Sequence, residues 1–253
     1  LGEMHGMAKG SARVSGGALV VDGNASWVET KPTREQFQAK TLEAWVELGD
    51  LNQKGGGVIG VQNLSGAQFD TIVFAERESR LWMAGSNSHA RTQSFGGLEE
   101  NEAHQQPVHV AMVYQEDGTI IGYRNGVPYG KPYKTGMWKF PAGNSQIIFG
   151  MRHKGGGNNY LKGKIHRAQL YERALAPDEV AASAGVQSSF VGEQELAAAL
   201  SQADQERRKE LKDQLAALAA REKELGNGSQ MKVYTVAARG NPGTVRLLKR
   251  GNA

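Results

Sequence analysis

Through its first 170 residues, the apolar positions of this chain recur with the two-residue period of strands. In TLEAWVELGD, Leu42, Ala44, Val46 and Leu48 alternate with Thr41, Glu43, Trp45 and Glu47, so one face belongs against a core. Further short apolar runs occupy 56–62, 69–75, 80–85, 107–114, 119–126 and 145–150, with Gly, Asn and Asp between them. Asp117-Gly118 and Asn125-Gly126 suit two-residue hairpin turns. Two strand-like runs flanking Asp22-Gly23-Asn24 predict another hairpin over 16–30. Short strands at regular spacing, with no helix between them, predict an all-β fold over residues 1–190: an antiparallel sandwich or jelly roll.

The pattern changes at Glu193. More than thirty residues follow without Gly or Pro, and Leu211, Leu215, Leu218 and Leu225 fall on one stripe. This predicts a helical segment over 191–226, whose 193–225 helix docks on flanking domains of its parent chain. The stripe covers only about two heptads, too few to specify a coiled coil. Residues 226–230 end the helix, and KVYTVAA (232–238) predicts one more strand in a 227–253 tail leading into a further domain. The switch from strand to short helix in LYERALAPDEVAA places Pro177 at the first helical position and Asp178 and Glu179 in the positive first turn. Ala176 supplies no side-chain cap.

Composition narrows the chemistry. Glycine, 33 of 253 residues, is nearly twice its usual share of roughly 7%, which fits many tight turns. The absence of cysteine excludes disulfides, thiolate zinc sites and a thiol nucleophile within this segment. The net charge of +4 is unevenly spread: residues 1–192 carry 19 basic and 18 acidic groups, 193–225 carry 6 and 8, and 226–253 carry 5 and none. The excess lies in the tail, so no nucleic-acid-binding face is expected on the body. No apolar run approaches the roughly 20 residues of a membrane span. The start at Leu1 and the lack of a leader pattern suggest a piece of a longer protein.

TLEAWV, VHVAMVY, DGTIIGYRNGVPYG and YLKGKIHRAQLYERALAPDEVAA occur in an order and spacing that resemble a laminin-G-like jelly roll of the concanavalin A-like lectin/glucanase superfamily. The likeness covers about Gly16 to Gly185. Its His-Val-Ala and Tyr-x-Asn-Gly signature is met by His109, Val110 and Ala111 and by Tyr123, Asn125 and Gly126. HGMAKGSARVSGGALVVDG, GGGVIGVQ, FDTIVFAERESRLWMAGSNSHART and KVYTVAARGNP resemble the laminin-G-like segment of planctomycete-cytochrome-C-type surface proteins. That likeness implies an exported multidomain parent and an extracytoplasmic location, periplasmic or at the cell surface. The chain departs from the wider family at Gly163-Lys164-Ile165-His166, where an acidic residue often follows the isoleucine, at Ala176, and at Gln106-Pro107 in place of a tryptophan.

Motifs for catalysis are absent. Retaining glucanases need two carboxylates about 5–5.5 Å apart, and no strand carries them in alternation. Glu76 and Glu78, and Glu99, Glu100 and Glu102, fall in expected turns and read as solvated charge. No histidine pair has the i, i+4 spacing of a zinc site, and His109 reads as a structural, hydrogen-bonded strand residue. No Gly-x-Ser-x-Gly or phosphate loop occurs. The chain is therefore expected to be no enzyme and to need no cofactor, with a weak calcium candidate at Asp22 and Asn24, since hard cations take oxygen ligands. Two loops carry the mixture that sugars require, an aromatic plane with amide and guanidinium groups. One places Trp82, Ser86, Asn87, His89 and Arg91 around a turn; the other places Arg152, His153, Asn158, Asn159 and Tyr160. They predict a non-catalytic module that binds a glycan. A spacer that joins flanking domains is the alternative, and a glycoside hydrolase is a weaker one.

Overall fold

The computed structural model describes residues 5–87, 91–157, 160–186 and 200–228. The chain divides into two compact units, Leu1–Gly192 and Glu193–Ala253. The first unit holds two antiparallel sheets. A six-stranded sheet runs β1 (Gly6–Lys9), β4 (Trp27–Thr30), β13 (Ser145–Phe149), β6 (Gly56–Asn63), β7 (Phe69–Phe74) and β8 (Trp82–Ser86). An eight-stranded sheet runs β11 (Val127–Pro128), β10 (Thr119–Arg124), β9 (Val108–Tyr114), β5 (Lys40–Leu48), β14 (Lys162–Tyr171), β3 (Ala18–Asp22) and β2 (Arg13–Ser15), with β12 (Tyr133–Lys134) also paired to β10. The fold is the expected all-β sandwich.

The core follows from alternation. Leu42, Ala44, Val46 and Leu48 of β5 and Val108, Val110 and Met112 of β9 meet Val58 and Ile59 of β6, Ile72 and Phe74 of β7, and Trp82 and Ala84 of β8. The expected turn at Asn125-Gly126 forms with both residues at positive φ, +49° and +75°, and it joins β10 to β11.

The family signature builds structure around that turn. His109 and Asn125 are tied by two bonds: the His109 N–H donates to the Asn125 side-chain Oδ1 at 3.0 Å, and the Asn125 N–H donates to the His109 carbonyl at 2.8 Å. The Gly126 N–H donates to His109 Nδ1 at 3.2 Å, so Nδ1 is the acceptor and Nε2 carries the proton given to Glu43 Oε1 at 2.8 Å. Burial raises the Glu43 carboxyl, but the bond from His109 and its neighbours outweigh it and hold the group below the usual carboxylate range. His109 is thus the structural histidine that its place in a strand predicts.

Two features differ from the sequence expectation. The run 16–30 is no hairpin: β3 pairs with β2 and β14 in one sheet, while β4 pairs with β1 and β13 in the other. The polar residues between them make a crossing corner. Asp22 accepts from Ser11 Oγ, from Ser26 Oγ at 2.6 Å and from the Asn24 N–H at 2.9 Å, and Gly23 (φ +81°) and Ala25 (φ +52°) send the chain across to the other layer. The second difference is on the polar face of β5, where Thr41 and Glu43 are buried while Trp45 and Glu47 stay partly exposed. A second cluster of Ala111, Val113, Tyr123, Leu175 and Val180 covers this face beneath α1 (Pro177–Ser183). The missing cap at Ala176 is replaced from within the helix: Glu179 Oε2 accepts the Ala176 N–H at 2.8 Å and Arg173 grips the same carboxylate at 2.6 and 2.7 Å. Chiefly through Arg173, this holds Glu179 down at about 2.

In the second unit, α2 spans Gln202–Gly228. It starts at Ser201, whose hydroxyl accepts the Asp204 N–H at 3.2 Å. Leu211, Leu215 and Leu218 are 45%, 67% and 63% exposed. The expected strand at 232–238 lies outside the described residues. Among the described residues, no helix is long and apolar enough to cross a membrane.

Candidate functional site

One end of the sandwich core is ionic. Continued by one residue, the alternation of β5 puts Lys40 on its core face; Asp70 shares a face with Ile72 and Phe74 in β7, and Ser86 shares one with Trp82 and Ala84 in β8. Lys40 Nζ lies 2.7 Å from Asp70 Oδ2, with both side chains fully buried. Arg91 Nη2 lies 3.0 Å from Asp70 Oδ1, and Ser86 Oγ, which donates to the Phe69 carbonyl at 2.9 Å, accepts from Arg91 Nε at the same distance. Lys40 Nζ also sits over the Tyr114 ring, 4.1 Å from its centroid. Burial, followed by the Asp70 charge, pushes the Tyr114 hydroxyl well up. One carboxylate thus faces a guanidinium and an amine inside the protein; burial lowers the pKa of Lys40, and the Asp70 charge opposes that shift.

Directly outside this cluster lies a cavity of 380 Å³ at the edge of the six-stranded sheet. Phe69 and Thr71 of β7 point away from the core and support it. Gly57 makes room for its far wall: a Cβ there would stand 2.3 Å from the Arg152 nitrogen, so only glycine lets the segment after β13 lie flat on β6. Thr71 Oγ1 fastens that segment by donating to the Arg152 carbonyl at 2.7 Å. The His153 ring then stacks on Phe69 at 4.0 Å and 6°. Its Nδ1 faces two carbonyl oxygens, of Lys154 at 2.8 Å and Gly66 at 3.2 Å, so this nitrogen carries the hydrogen. Burial, then the Arg152 charge, lowers the pKa of His153 and disfavours the charged ring.

Arg152 Nη1 lies 2.8 Å from Glu76 Oε1 and Nη2 donates to the Gly157 carbonyl at 3.1 Å; its buried Nε has no hydrogen-bond partner. On the opposite wall Arg77 Nη1 donates to the Thr92 carbonyl at 2.7 Å, and Thr92 Oγ1 accepts the Ser86 N–H at 3.0 Å. These bonds pin the base of the loop that presents Asn87, whose side chain is exposed.

The two loops singled out in the sequence therefore meet: Asn87 from one and Arg152 and His153 from the other line the same cavity. Their companions divide. Trp82 is a core residue, 1% exposed, packed on Phe74 and donating through Nε1 to Glu100 Oε2 at 2.9 Å, so it is no sugar platform. Arg91 is buried against Asp70 and anchors its loop instead of facing a ligand. His89, Asn158 and Asn159 lie outside the described residues. Sequence reading missed Phe69, Arg77 and Thr92 as lining residues and took Glu76 for solvated charge.

Glu100 is likewise no solvated turn residue. Its buried carboxylate takes bonds from Trp82, from Arg124 at 2.8 and 3.0 Å, and from the Glu102 and Ala103 N–H groups at 2.8 and 3.1 Å. Burial opposes its charge, but Arg124 and Trp82 lead the bonds that outweigh it and bring it down to about 2. A calcium ion at Asp22 and Asn24 would have to displace Ser11 and Ser26 from a single carboxylate. Among the described residues, no group of three or more His, Asp or Glu side chains is placed to hold a metal ion.

A laminin-G family model, described as the concanavalin A-like lectin/glucanases superfamily, matches residues 22–181. The chain belongs to this superfamily. Among solved structures, domain 4 of AbnA, an extracellular GH43 arabinanase from Geobacillus stearothermophilus solved with arabinotriose, has a TM-score of 0.53 at 18% identity. That match covers 72% of this chain and 82% of the other. The binding domain of botulinum neurotoxin DC, solved with rat synaptotagmin II, has a TM-score of 0.50 at 10% identity, covering 72% and 46%. The Trypanosoma rangeli sialidase with sialic acid has a TM-score of 0.49 at 17% identity, and the match covers 68% of this chain and 28% of that one. At these identities the likeness is one of fold. No curated protein sequence matches the chain.

Proposed function

We propose that this superfamily member is a non-catalytic carbohydrate-binding module within a larger exported protein. The observation that carries this reading is the meeting of two separate loops around one polar cavity. A volume of 380 Å³ lies in the range of small-ligand sites, about 300–1,000 Å³. Its walls combine an amide, two guanidinium groups, an imidazole and the ring of Phe69. A retaining hydrolase needs a second carboxylate about 5–5.5 Å from the first. Among the described lining residues, Glu76 is the one carboxylate, and it is ion-paired to Arg152.

Screening the chain on a glycan array, followed by calorimetric titration of the best binder, tests this. Asn87→Ala and Arg152→Ala are expected to weaken binding by about tenfold or more with the fold intact by circular dichroism. Hydrolysis of the bound sugar would overturn the non-catalytic reading. An array with no binder at all would instead favour a spacer that docks flanking domains, for which the exposed leucine stripe of α2 is the feature in hand.

A further inference from the structure

We infer that the cavity selects an acidic sugar, a hexuronate whose carboxylate lies against the Arg77 and Arg152 guanidinium groups. The inference rests on the carbohydrate-binding reading and adds the charge of the ligand. Three observations carry it. The described lining residues contain two guanidinium groups, Arg77 and Arg152, against one carboxylate, Glu76, so cationic groups outnumber anionic ones in the walls.

The second observation is the incomplete compensation of Arg152. One terminal nitrogen meets Glu76 and the other a neutral carbonyl, while the buried Nε–H has no partner. The Arg152 side chain is partly exposed, and an anion meeting its outer nitrogens would add charge-assisted bonds to the one that Glu76 supplies. The third lies behind the wall. Ser86 lines the cavity and also contacts the buried cluster, in which Asp70 alone faces both Lys40 and Arg91. Low-polarity surroundings screen such charges weakly, and with burial lowering the Lys40 pKa against the opposing Asp70 charge, the cluster brings no net negative charge to the cavity wall. A planar carboxylate matches the fork of an arginine, and the charge-assisted bond is roughly twice as strong as a bond to a neutral hydroxyl.

The test compares trigalacturonate, its neutral galactose counterpart and a sulfated galactose trisaccharide by calorimetry on the full chain, at low and high salt. Trigalacturonate is expected to bind at least about tenfold more tightly than the neutral sugar, with the gap shrinking at high salt. Arg77→Gln should narrow the gap. Glu76→Gln should widen it, because it removes the competing carboxylate, and a gain in binding is not produced by misfolding. Equal or tighter binding of the neutral sugar overturns the inference and leaves the carbohydrate-binding reading standing. Tighter binding of the sulfated sugar, or no response to Glu76→Gln, also overturns it. Failure of all three sugars, with a positive array result for another glycan, overturns it as well; an array with no binder removes the reading beneath it.

Discussion

Glu100 shows how much a single buried carboxylate organises. Its five donors come from Trp82 in β8, from Arg124 at the end of β10 and from the turn that leads to β9, so one anion ties three parts of the sandwich together. With a folded pKa near 2, against 4.5 for an ordinary glutamate, its contribution is fully present above about pH 4.5. It is lost as the pH falls from there toward 2. The shift amounts to about 3 kcal/mol. Urea denaturation measured from pH 6 to pH 2 is expected to show this loss, and Glu100→Gln should lower stability at pH 6 while flattening the curve across the same window. An unchanged slope in the variant would mean that other carboxylates control the acid response. Asp70 makes the complementary point. Lys40 and Arg91 are both held inside the protein by one partner, and a buried pair is expensive to break even when it adds little to stability as a whole.

Among the elements, the segment after β13 does most to make the site. Its seat on β6 depends on the absence of a side chain at Gly57. Gly57→Val is therefore expected to lift residues 151–153 from the sheet and weaken glycan binding about tenfold or more. Because the inter-sheet core is untouched, the variant should still melt cooperatively; binding at wild-type strength would show that this seat does not shape the cavity. How far such features can be read from sequence depends on the range of the forces involved. Alternation within a strand is local, so the core faces of β5 and β9, the turn at Asn125-Gly126 and the helix start at Pro177 were all legible. The same alternation places Trp82 beside Ala84 in the core, whereas grouping it with nearby polar residues by composition puts it on the surface. Lys40 carries a clear signal too, as the first position of an apolar face. What local patterns do not contain is which acid answers it, because Asp70 is thirty positions away and becomes its neighbour only when the two sheets stack.

The pairing order of the molecule determines which parts of the site can be seen early. The cavity draws on β7 and the residues flanking it, the Ser86 end of β8 and the segment after β13, and these come together only in the finished six-stranded sheet. Sequence therefore pointed to Asn87, Arg152 and His153 through their residue types, but not to Phe69, Arg77 or Thr92, whose part follows from packing. The sheet order also governs how the domain forms. β14, the last strand among the described residues, does not lie at an edge: it sits between β3 and β5, joining Val20 to Lys164 and Ala44 to Ala168 across more than a hundred residues. Pairings of such long range make folding slow, so refolding from urea should take milliseconds to seconds or longer, and a chain ending before Lys162 should show no cooperative transition. A growing chain has no complete eight-stranded sheet to close until residue 171 has emerged. β14 therefore works as a keystone, set only after the rest of the arch has been laid.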